Sequence, residues 1–162
     1  MTKTTVQFCT FTLDGLLFGV SVDRVQEIVR HLGLTRVPLA SPVIRGLMNL
    51  RGQIVTAIDL RRRLEFPDRE SGVLPMNVVI RTEDGLVSLL VDKIGDVVVV
   101  ETDTRDDPPP TLQGAARELI RGAYQLPNRL LLDLDLERAL TLDASNTLVT
   151  RSVSEGERFT RP

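Results

Sequence analysis

The seventeen residues from Ile44, IRGLMNLRGQIVTAIDL, recur 76 residues later from Ile120 as IRGAYQLPNRLLLDLDL, with no gap between the copies. Six positions are identical (Ile44/Ile120, Arg45/Arg121, Gly46/Gly122, Leu50/Leu126, Asp59/Asp135 and Leu60/Leu136), where chance supplies about one. A second match sets residues 13–28 against 82–97 at offsets of 69 to 70. Both copies carry Asp-Gly between apolar segments, Asp14-Gly15 and Asp84-Gly85, a strong short signal for a tight hairpin. Both then reach a valine-aspartate-basic-apolar tetrad, Val22 to Val25 and Val91 to Ile94. Whatever this chain folds into must be built twice.

Each half reads as a strand, a hairpin, a strand, a break, another strand, and a short helix capped by Asp59 or Asp135. Residues 67–75, polar and rich in proline and glycine, join the halves. Cys9, Phe11 and Leu13 alternate with Thr10 and Thr12, and residues 97–100 form a β-branched run suited to a strand buried on both faces. Short helices are expected at 42–48, where Ser41-Pro42 supplies a cap, and at 60–64 and 136–140. Val22, Val25 and Val29 suggest a helical turn. The protein is therefore expected to be mostly β. A unit of about 70 residues buries little apolar surface alone, so two small barrels should share a core, with a groove between them as the default binding site. Residues 146–162 form a polar C-terminal tail with the composition of a frayed terminus.

Composition narrows the function. The net charge of −2 gives no footprint for nucleic acid or an anionic membrane, which leaves proteins as the expected partners. One cysteine allows no internal disulfide, and no apolar run approaches the ~18 residues of a membrane span. A cytoplasmic location is expected. The single His31 has no cysteine or histidine at metal-ligand spacing, and no nucleophile elbow, phosphate loop or dinucleotide fingerprint occurs. No catalytic residue, metal or cofactor is expected. Cys9 reads as packing, Asp59 and Asp135 as helix caps, and Arg61-Arg62-Arg63 as the solvated face of a short helix.

Residues that both halves need for folding should appear twice, whereas a surface used once should differ between copies. Applied to the long match, this isolates Asn49, Arg51 and Gly52, whose counterparts are Gln125, Pro127 and Asn128. The second copy is expected to build the same turn without an arginine.

From about Val6 to Leu142 the chain resembles the CheW family. The landmarks are FTL at Phe11, FGV at Phe18, VQEIV at Val25, VPLASPVIRGLMNLRGQIVTAIDLR from Val37 and LLVDKIGDVV from Leu89, in family order and spacing. The resemblance implies two five-stranded SH3-like barrels with a hydrophobic groove between them. Residues 1–145 would form one CheW-like domain of two repeated subdomains, about 6–66 and 76–144, either self-contained or exchanging strands. It implies a non-catalytic adaptor that joins the regulatory domain of a CheA-type histidine kinase to the cytoplasmic tip of a chemoreceptor. By matching motif position, Glu27 and Arg51 are the polar pair associated with signalling and assembly, and they are expected to be electrostatic neighbours. Val25, Asn49 and Val97 correspond to the region of receptor contact, with Gly52 beside them in the turn, and residues near Val37 and Leu39 are candidates for the kinase. Residues 107–110 and the Pro127-Asn128 loop depart from the family pattern. Two other readings are a coupling protein for a non-flagellar pathway such as pilus motility, and a small-ligand-binding or hydrolytic β-barrel.

Overall fold

The computed structural model describes residues 3–30, 32–38 and 40–141. The expectations for His31, Leu39 and the tail lie outside these described residues. The first half of the chain forms β1 (Thr5–Leu13), β2 (Leu16–Ser21), a single 3-10 turn at Val22–Arg24, β3 (Val25–Val29), β4 (Ile44–Leu50), β5 (Gln53–Asp59) and α1 (Leu60–Arg63). The second forms β6 (Met76–Thr82), β7 (Gly85–Val91), β8 (Lys93–Glu101), α2 (Gly114–Leu119), β9 (Ile120–Gln125), β10 (Leu130–Leu134) and α3 (Leu136–Leu140). The strands make two five-stranded sheets, ordered β8-β1-β2-β10-β9 and β3-β6-β7-β5-β4. Each sheet takes a hairpin from one half and three strands from the other. The exchange follows from the connection at Val22–Arg24, which carries the chain out of the first sheet in three residues.

Period-2 alternation sends side chains to separate cores. Val78 and Ile80 of β6 and Val87 and Leu89 of β7 face a central core that also receives Phe11, Leu13, Phe18 and Val20 from β1 and β2, and Leu132 and Leu134 from β10. Their neighbours Val79 and Leu90 join Met48, Leu50, Val55 and Ala57 in a second core inside one sheet. Phe8, Leu17, Val100, Tyr124 and Leu131 fill the inside of the other. The two sheets thus share a filled core at their junction, as expected. Thr56 of β5 is fully buried with its hydroxyl unpaired. Thr56→Val should raise stability by about 1 kcal/mol, because a buried hydroxyl without a partner forfeits its solvation and the isosteric methyl does not. Urea denaturation of the two proteins checks this.

The repeated Ile-Arg-Gly is a β-bulge. Ile44 pairs with Ile58 and Gly46 with Ala57, so Arg45 is the extra residue; Ile120 pairs with Leu134 and Gly122 with Asp133, so Arg121 is. The bulged arginines reach acids, Arg45 to Asp59 at 3.6 Å and Arg121 to Asp133 at 3.1 Å. The glycine admits a crossing backbone. Thr35 exchanges two 2.8 Å hydrogen bonds with Leu47, and Asp106 exchanges bonds of 2.8 and 2.9 Å with Ala123, beside each glycine in turn. A Cβ on Gly46 would stand 2.5 Å from the Thr35 carbonyl oxygen, and one on Gly122 2.7 Å from that of Asp106.

Asp59 and Asp135 cap α1 and α3, accepting from the backbone N–H groups of Arg61 and Arg138 at 3.1 and 3.2 Å. Several other expectations need correction. No helix spans 42–48: Ser41-Pro42 makes a turn, with Ile44 N–H donating to the Ser41 carbonyl at 2.9 Å, and the alternation of Ile44, Gly46, Met48 and Leu50 then governs a strand. The helical turn at Val22 stops at Arg24, and Val25 and Val29 lie in β3. The run 97–100 is not buried on both faces. It sits in β8, an end strand, where Val97 and Val99 are each 57% exposed. Helix α2 was not foreseen. Each half holds five strands, because the β4–β5 and β9–β10 pairs are hairpins rather than single strands.

The three arginines of α1 are fasteners rather than a solvated face. Arg61 donates to both oxygens of Asp92, at 2.9 and 2.6 Å, and to the Pro67 carbonyl at 2.7 Å. Arg69, in the segment joining the halves, donates to Asp92 at 2.9 Å and stands 3.7 Å from Asp59. Arg62 holds Asp68 and the Pro42 carbonyl. Arg63 donates to the carbonyls of Ala139, Arg138 and Thr141 at 2.8 to 2.9 Å, closing the C-terminus of α3 from the opposite half. Burial pushes the Asp92 carboxyl up, but the Arg61 fork, the Asp14 N–H and the charges of Arg61 and Arg69 outweigh it and leave the group below its usual range. Cys9 packs against the central core, and burial raises its thiol pKa, as a packing residue requires.

Candidate functional site

Arg51 and Gly52 alone separate β4 from β5, since Leu50 pairs with Gln53. Their φ values of 52° and 88° make a type I′ turn, whose twist matches the flanking strands. Gly52 adopts this conformation freely, whereas Arg51 is one of three non-glycine residues with positive φ among those described. The turn is fixed locally by Asn49, whose Oδ1 accepts from the Gly52 N–H at 2.7 Å. The second copy connects its strands differently: β9 ends at Gln125 and β10 begins at Leu130, leaving four residues outside the ladder where the first copy leaves two. Leu126 N–H donates to the Arg129 carbonyl at 2.9 Å around Pro127-Asn128, and the proline ring holds φ near about −65°, the opposite hand from Arg51.

This turn aims Arg51 at Glu27. Its guanidinium donates through Nη1 to Glu27 Oε1 at 2.5 Å and through Nη2 to Oε2 at 2.7 Å, a bidentate fork. Glu27 belongs to β3 and Arg51 to the β4 hairpin, the two ends of one sheet, so the contact clasps that sheet's opposite edges. The hydrogen bonds from Arg51 hold the Glu27 carboxyl below its ordinary range, and those to Glu27 raise the Arg51 guanidinium. Glu27 is only 23% exposed, whereas the Arg51 side chain remains 73% exposed even though both its terminal nitrogens are engaged.

Four of the six expected site residues, Glu27, Asn49, Arg51 and Gly52, therefore come together at this turn. Val25 does not join them; it is half-buried and packs against the central core. Val97 lies on the other sheet, two residues from Val99 on the same strand face. Val99 lines a cleft of about 320 Å³ together with Thr5, Val6, Gln7, Ser21, Val22 and Asp23, where β1 meets the crossover between the sheets. A larger cleft of about 720 Å³ opens beside β4. Val37, Leu34, Pro38 and Ile44 form its apolar wall, and Arg36, Arg45 and Arg62 supply charge. Sequence reasoning missed Ile28, an exposed apolar residue next to Glu27; in β3 it is turned outward by a bulge that only the pairing with β6 reveals.

No group of three or more histidine, cysteine or acidic side chains fit to hold a metal occurs among the described residues, and none of their helices is long and apolar enough to cross a membrane. The family model for the CheW-like domain matches residues 7–144. The chemotaxis protein CheW of Bacillus subtilis is 31% identical over 147 residues, covering 91% of this chain and 94% of the relative. That of Treponema pallidum is 29% identical, covering 82% and 80%. A crystal structure of the scaffolding protein TtCheW from Thermoanaerobacter tengcongensis shares the fold, with a TM-score of 0.78 over 90% of this chain and 99% of that one at 21% identity. The repeated halves, the two exchanged sheets and the agreement along nearly the whole chain place this protein in the CheW-like family, whose matching relatives are chemotaxis proteins.

Proposed function

We propose that this chain is a non-catalytic coupling adaptor of a chemotaxis pathway, binding the cytoplasmic tip of a chemoreceptor and the regulatory domain of a CheA-type histidine kinase in the same assembly. It works in the cytoplasm and is recruited to receptor arrays at the membrane. The observation that carries this reading is the Glu27–Arg51 clasp: a fork that the fold holds in place while most of the Arg51 side chain stays exposed to solvent. Arginine in such a setting is a frequent anchor of protein interfaces. Receptor contact falls to Arg51, Asn49 and the exposed valines of β8. The kinase docks at the cleft beside β4, where Val37 and Ile44 offer an apolar wall. A scaffold needs only surfaces with correct relative placement, and the filled core between the sheets supplies that rigidity.

Co-sedimentation tests the reading. The chain should pellet with receptor-containing membranes and carry a CheA-type kinase of the same organism down with it, in amounts exceeding either pairwise complex. Failure to form a ternary complex with any receptor and kinase of that organism contradicts the adaptor role.

A further inference from the structure

We propose that Arg81 is a positioning residue for the Glu27–Arg51 contact, acting by locking a β-bulge at Gln26 that decides which way β3 points its side chains. Val25 pairs with Ile80 and Glu27 with Val79, so Gln26 is the extra residue. The bulge reverses the alternation. Val25 faces the central core with Ile80, whereas Val29, four residues on, packs into the separate core inside the sheet. In an unbroken strand these two valines would share a face. The same reversal brings Glu27 onto the side of Val79, from which it meets Arg51, and turns Ile28 outward. Sliding the extra residue away would set Gln26 opposite Val79 and swing Glu27 toward the central core.

Strand β3 has a neighbour on one side only, so its ladder alone restrains the bulge weakly. Arg81 supplies the missing restraint from β6. Its Nη1 donates to Gln26 Oε1 at 3.0 Å, and its Nη2 donates to the Asp23 carbonyl at the start of the crossover. Arg24 reinforces the corner, donating through Nε and Nη2 to the Arg81 carbonyl at 3.1 Å and through Nη1 to Glu137 of α3 at 2.6 Å. Bulges are common where a side chain must be re-aimed, and here both the re-aimed residue and the lock are identifiable.

The test is an NMR titration of the Glu27 side-chain carboxyl in the wild type, Gln26→Ala and Arg81→Ala, with melting curves alongside. Gln26→Ala removes only an exposed side chain and remains informative should Arg81→Ala fail to fold. In both variants the Glu27 midpoint should move up toward the ordinary carboxylate range, with melting close to wild type, and the double variant should go no further than either single one. A midpoint unmoved in Gln26→Ala overturns the proposal, because Arg81 then does not act through the bulge. The consequence for assembly rests on the adaptor reading: kinase and receptor binding should weaken several-fold in the same variants. A moved midpoint with unchanged binding leaves the positioning role standing and counts against the clasp as a docking element.

Discussion

Replacing Asp92 with alanine should destabilise the protein by about 3 kcal/mol, a fall in melting temperature of roughly 6–12 °C. Asp92 is the shared acceptor of Arg61 and Arg69, and its removal takes the hydrogen-bonded carboxylate from two guanidinium groups whose side chains are only 13% and 9% exposed, leaving them the carbonyls of Pro67 and Leu90. It also releases the Asp14 N–H in the first hairpin, bound at 3.0 Å, and loosens the segment joining the halves. The pH dependence has a definite sign. The folded Asp92 carboxyl lies below its unfolded value, so its stabilisation is complete above the ordinary carboxylate range and is lost as pH falls through the folded pKa. The stability gap between wild type and the neutral isostere Asp92→Asn should therefore be largest near neutrality and shrink on acidification. Chemical denaturation at several pH values measures it. A gap that is constant with pH would mean that charge is not what holds this corner.

Gly46→Ala should be comparably damaging, at about 3 kcal/mol. Gly46 has φ 151°, and the new Cβ would stand 2.5 Å from the Thr35 backbone oxygen, which has no flexible side chain to withdraw. Thr35 would have to give up its two bonds to Leu47, opening the outer edge of β4 and the cleft wall around Val37. By contrast, Gly33→Ala should be nearly silent, since nothing lies within 4 Å of its added Cβ. Melting curves of the two variants separate a steric requirement at Gly46 from a general loss of chain flexibility.

These two sites also show how far the sequence could be read. Gly46 and Gly122 stood out because both halves carry them, and the bulge with its crossing backbone is the physical reason. Asp59 and Asp135 were legible as caps for the same reason. Partnerships between distant residues were not. Arg61, Arg62 and Arg63 look like any solvated basic run until the fold brings Asp92, Asp68 and the end of α3 to them. The run at 97–100 has the composition of a central strand, and only the strand order puts it at an edge. Ser41-Pro42 is a genuine turn signal that opens a helix or a strand equally well, and the alternation after it decides.

The candidate site divides in the same way. Comparing the copies isolated Asn49, Arg51 and Gly52, and they do form one turn. Part of their difference from Gln125, Pro127 and Asn128 is a change of turn hand rather than of function, which the comparison could not distinguish. The Gln26 bulge was hidden because register belongs to a pair of strands and not to one.

The most direct test of the coupling role is titration of receptor-containing membranes and a CheA-type kinase against wild type and Arg51→Ala, reading ternary assembly. Alanine keeps the backbone requirement at φ 52° unchanged, so the substitution removes only the exposed fork. The expected result is a melting curve close to wild type together with assembly weakened about thirtyfold, the loss typical of an interfacial arginine anchor. Assembly unchanged by the substitution, or absent already in the wild type, would contradict it.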